Sequence, residues 1–180
     1  MSFKRSLIII ILTCIFVSLH AQQIELYATD SAAIGKISEL SQGTLGHGLC
    51  FSYGLDALPV LGISARVEHA QNLLGENNSI SSWNTLCFAA GVQGLFNITD
   101  FMDINPELDF GTCISILRPK TLASNTYMDL LIQLNCAFVF YPPQEENILS
   151  FVLTPFYRLL PEQDNLGQYA GLNAGIKISF

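Results

Sequence analysis

Across residues 102–116 the chain alternates without a break. Met102, Ile104, Pro106, Leu108, Phe110, Thr112, Ile114 and Ile116 fall on one parity, and Asp103, Asn105, Glu107, Asp109, Gly111, Cys113 and Ser115 on the other. A helix of period 3.6 cannot separate those two sets, whereas a strand of period two must. The same alternation recurs over 45–55, 61–69, 86–96, 128–140, 149–159 and 170–180, with a weaker copy over 24–33 where Ile24, Leu26 and Ala28 alternate with Glu25, Tyr27 and Thr29. An all-β chain of long strands is the expectation.

Composition decides what covers the apolar face. Half of the residues are hydrophobic and 13% are charged, against about 25% charged in a soluble domain. After the first 21 residues no apolar run approaches the 18 or more that a spanning helix needs. Strands can cross a bilayer only as a closed barrel, which pairs every backbone N–H and C=O internally. The sequence therefore predicts an antiparallel up-and-down transmembrane β-barrel. A soluble sandwich would turn its apolar faces inward; the strand length and low charge disfavour it.

Lys4 and Arg5, the apolar stretch from Leu7 to Val17 and the exit Ser18, Leu19, His20, Ala21 have the layout of a secretory signal peptide. Residues 1–21 are expected to be that segment, cut after Ala21, and 22–180 the barrel domain. The remaining basic residues, Lys36, Arg66, Arg118, Lys120, Arg158 and Lys177, face 15 Asp and Glu. Such an acidic chain has no patch to neutralise phosphates, which excludes a nucleic-acid partner.

The connections alternate between short ones, at 56–59, 98–100 and 142–147, and longer ones, at 71–82, 118–125 and 161–167, as periplasmic turns and extracellular loops do. With the last strand ending in the periplasm, the segment around 35–42 falls outside, and an even count requires the N-terminal strand. Eight strands are expected. Tyr53, Phe96, Phe138, Phe140, Phe151 and Phe180 cluster near the expected periplasmic ends and Trp83 and Tyr157 near the others, as interfacial girdles.

The span 22–180 resembles the small outer-membrane barrels of diderm bacteria, the OmpA-, OmpX- and OmpW-like group. The ending Ile176, Lys177, Ile178, Ser179, Phe180 is similar to that group's C-terminal signal. The resemblance implies residence in the bacterial outer membrane, contact with its lipid, and recognition of Ile176, Ile178 and Phe180 by the barrel-assembly machinery.

The parity places Arg66, Glu68, Asp103, Glu107, Asp109, Asp129, Arg158 and Lys177 in the lumen. Eight strands leave room for side chains and not for a wide bore, so a polar plug is expected ahead of a narrow pathway. Glu107 and Asp109 would need a substrate cavity to act as a catalytic pair, and no enzyme activity or cofactor is expected. His47 and His69 are expected to face each other across their hairpin near the outer interface; without a third ligand they make no metal site. Cys50, Cys87 and Cys113 face inward and Cys136 outward. Cys113 is expected one diagonal step from Cys87, so a bridge is open to them, with small residues filling the lumen the preferred reading. Asp129 and Arg158 are expected to pair and close the upper barrel. The function expected is that of a structural or surface-exposed protein acting through its loops on an extracellular ligand or host surface. The alternative is a narrow channel for small solutes.

Overall fold

The computed structural model describes residues 22–35, 38, 45–72, 80–121, 123–143, 148–161 and 166–180. The expected signal segment 1–21, most of the 35–42 segment, and Leu73 and Leu74 of the 71–82 loop lie outside the described residues.

Nine strands follow one another: β1 (Gln22–Ile34), β2 (Leu45–Leu58), β3 (Leu61–Asn72), β4 (Ile80–Gly94), β5 (Phe96–Thr99), β6 (Met102–Pro119), β7 (Asn125–Phe140), β8 (Leu149–Pro161) and β9 (Leu166–Ser179). All pairings are antiparallel. β1 bonds both β2 and β9, and β4 bonds both β3 and β6, so eight strands close into a barrel. β5 is a short extension of the β4–β6 hairpin that pairs only with the start of β6. We call the end where β1 begins and β9 finishes the terminal face, and the other end the loop face.

The outer surface is what a bilayer requires. Leu26, Leu49, Phe51, Ile63, Phe88, Val92, Phe110, Leu134, Phe151 and Leu172 are all exposed, a continuous apolar surface far larger than a soluble monomer shows. Among the described strand residues, the outward charged groups are Asp30 and Arg118, and they lie with His47 and His69 towards the loop face. Phe96, Phe140, Phe151 and Phe180 are exposed near the terminal face. Trp83 departs from the expected girdle. It is 5% exposed and packs inside against Cys87, Cys113, Leu131, Leu160 and Tyr169. β4 reaches back to Ile80, which extends the inward parity of Cys87 to Trp83.

The ladders run further into the connections than expected. Asn72 still pairs with Trp83, and the β2–β3 turn tightens to Pro59 and Val60 between Leu58 and Leu61. The connection 141–148 on the terminal face is longer than 162–165 on the loop face, so the short–long alternation is not strict. Pro106 and Pro155 stand mid-strand on the outer face. Pro155 has no N–H to give, and the β7–β8 ladder passes from Asn135↔Phe156 to Phe138↔Leu153 without pairing there.

Candidate functional site: the filled lumen

Inward side chains arrange themselves in layers down the barrel. At the loop face, Trp83, Leu131, Leu160 and Tyr169 form an apolar cap over the Cys87–Cys113 disulfide. Below it lies a layer of charge, and below that Tyr27, Cys50, Ala137, Val139 and Val152 make a second apolar cluster. A cavity of about 330 Å³ opens at the terminal face.

The charged layer is built from β3, β6, β7 and β8. Arg66 Nη2 donates to Glu107 Oε2 at 2.5 Å, and its Nε lies 3.4 Å from Asp109 Oδ2. Arg158 Nη2 donates to Glu68 Oε2 at 2.6 Å and its Nε to Gln133 Oε1 at 2.6 Å, while its guanidinium sits 5.1 Å from the centre of the Phe156 ring. Asn135 joins the two halves: its amide donates to Glu107 and Asp109 and its Oδ1 accepts from Gln133. Arg66, Glu68, Glu107, Asp109 and Arg158 are all at least nine-tenths buried. Ions removed from water this way need further hydrogen bonds; the two amides supply some of them, while Arg66 Nη1, Glu68 Oε1 and Asp109 Oδ1 have none. Glycines make the space. Gly91 lies directly opposite Asp109, and an added Cβ there would collide with the Asp109 carboxylate.

The other expected lumen residues sit elsewhere. Asp103 lines the terminal-face cavity, its two oxygens accepting from Asn97 and from the Tyr141 hydroxyl. Burial first and the Asp103 hydrogen bond next push the Tyr141 hydroxyl above its ordinary range, so it stays a donor. Lys177 also lines that cavity, directly across the ladder from Glu25 and Ser150. Glu25 is a buried inward carboxylate bonded to the Tyr27 hydroxyl. It is not among the expected lumen charges, because the alternation over 24–33 is the weaker copy of the pattern.

Three expected pairings are corrected by the register. Asp129 lies opposite Cys113, and Arg158 lies opposite Gln133 and reaches Glu68, so Asp129 and Arg158 do not meet. His47 lies opposite Gln71 and His69 opposite Leu49, so the histidines do not face each other; His47 pairs instead with Asp30 on β1. Cys87 lies directly opposite Cys113 rather than diagonally, and the two are bridged, while Cys50 and Cys136 are free. No group of three or more His, Cys, Asp or Glu that could hold a metal occurs among the described residues.

No known family's sequence profile matches the chain, and no curated protein matches it by sequence. Its fold does match solved structures. Neisserial surface protein A superposes with a TM-score of 0.71 at 10% identity, over 89% of this chain and 99% of that one. OprG of Pseudomonas aeruginosa gives 0.61 at 10% identity over 89% and 96%. Ail, the attachment invasion locus protein of Yersinia pestis, gives 0.56 at 14% identity over 88% and 99%. The chain therefore has the fold of the small outer-membrane β-barrels.

Proposed function

We propose that this chain is an integral protein of the bacterial outer membrane whose plugged barrel is a scaffold, with the loop face outside as the working surface towards an extracellular ligand or host surface. One observation carries the reading: Arg158 on β8 binds Glu68 on β3 across the lumen, beneath an apolar cap. A bore crossed by a buried ion pair has no room for solute flow. Ail has been solved with the heparin analogue sucrose octasulfate. The net charge of −7 here argues for a different class of ligand, since a sulfated glycan needs a cationic surface.

The second reading, a narrow path for small solutes, has its own support. Thr29, Asn173 and Thr154 lie side by side across β1, β9 and β8, each at most 2% exposed, with side-chain polar atoms that have no partner. Such a row would suit water in single file. The outer-membrane lipid is the solvent of the apolar belt, and the barrel-assembly machinery reads Ile176 and Ile178 on the outer face of β9 together with Phe180 just beyond it.

Swelling of liposomes carrying the protein separates the two readings. In isosmotic arabinose they should swell no faster than empty liposomes; faster swelling would favour the channel. Heat-modifiable gel migration and a β-rich circular dichroism spectrum are expected of the same preparation, and a helical spectrum would end the barrel reading.

A further inference from the structure

The terminal-face cavity is lined by both signs of charge. Lys177 is 3% exposed, and among the described residues its ammonium has neither a hydrogen bond nor an ion pair. The carboxylate directly across the ladder, Glu25, accepts from Tyr27 instead. The side chain is buried but its Nζ is not sealed off, so the ammonium opens on the cavity, where an anion can meet it. Two carboxylates line the same space: Asp56, which accepts from Gln23 Nε2 at 2.8 Å, and Asp103, held by Asn97 and Tyr141.

Gln23 Oε1 and Asn105 Oδ1 also lack a donor, but both atoms are sealed from solvent and are not presented to the cavity. The amide of Gln23 is fixed by its bond to Asp56, so its oxygen faces away from that carboxylate. The cavity thus offers one ammonium with no anion on it and two carboxylates, Asp56 fixed by Gln23 and Asp103 fixed by Asn97 and Tyr141.

An anion alone would satisfy Lys177 but meet Asp56 and Asp103. A cation alone would suit the carboxylates and leave Lys177 opposed to it. We infer that the cavity binds a small zwitterion, its carboxylate on Lys177 and its ammonium on Asp56 and Asp103. The volume of about 330 Å³ sets the size, because a water takes about 30 Å³ of liquid and a molecule of a few heavy atoms fits. This inference is independent of whether the lumen above conducts.

The test is a chemical-shift titration of the protein, purified from membranes into detergent micelles, with glycine, acetate and methylammonium as probes. Glycine should shift the backbone amides of Asn105 and Ser179 saturably, with acetate and methylammonium at least tenfold weaker. A Lys177→Met variant that retains heat-modifiable migration should bind glycine at least tenfold more weakly. The comparison of the three probes on the unaltered protein needs no variant and decides on its own. Absence of a saturable glycine shift, acetate binding as tightly as glycine, or a folded Lys177→Met variant within twofold of the original would each overturn the site.

Discussion

Arg158 and Glu68 join diametrically opposite strands: going round the barrel either way from β8 to β3, three strands intervene, and the two side chains meet at 2.6 Å in the middle. Removing one partner strands a buried charge, so Glu68→Ala or Arg158→Ala should each destabilise the barrel by about 3–5 kcal/mol. The double replacement should cost less than the two singles together, by about 0.5–3 kcal/mol. Urea denaturation followed by gel mobility measures all three, and strict additivity would count against the bridge.

The Cys87–Cys113 bridge ties β4 to β6 with a sequence separation of 26. Closing a loop of that size stabilises by about 3 kcal/mol. The reduced protein should therefore unfold at lower urea. Thiol titration of the unfolded chain beyond residue 21 should find Cys50 and Cys136 before reduction, and four thiols after it. Four thiols without reductant would disprove the bridge.

Gly91 leaves the room that the Asp109 carboxylate occupies. Gly91→Val should push Asp109 off Asn135 and Arg66 and cost about 1–3 kcal/mol, as overpacking does. A variant as stable as the original would mean that the charged layer can shift freely.

Phe180, just past the end of β9, is 72% exposed; it edges the terminal-face cavity but packs in neither buried apolar cluster of the lumen. Its deletion should therefore leave folding in detergent nearly unchanged while lowering the amount assembled in the outer membrane. Equal loss in both assays would make its role structural, and unchanged surface levels would remove it as an assembly signal.

The face of most strand residues was readable from the sequence because a period of two needs no partner; Trp83, expected in the outer girdle and found inside, is an exception. Which residue meets which was not. At the β2–β3 and β4–β6 hairpins the expected partners lie two residues from the observed ones: His47 meets Gln71 and not His69, and Cys87 meets Cys113 itself. The cause is local. The turns lie at 59–60 and 100–101, later than expected, and irregularities between Asp56 and Leu58 and between Asn97 and Thr99 then reset the ladders. A shift of two keeps every side chain on its face while changing all its neighbours. Arg158 was therefore assigned to the lumen correctly and given the wrong partner. Its true one lies on β3, 90 residues away, and no pattern local to either strand records it.

Single-channel recording in planar bilayers bears most directly on the plugged barrel. A lumen crossed by Arg158 and Glu68 and capped by Trp83 and Tyr169 should insert without a stable open level. The combined Glu68→Ala and Arg158→Ala replacement should show a small, resolvable conductance. A steady open level in the unaltered protein would contradict the plug and establish the narrow channel in its place.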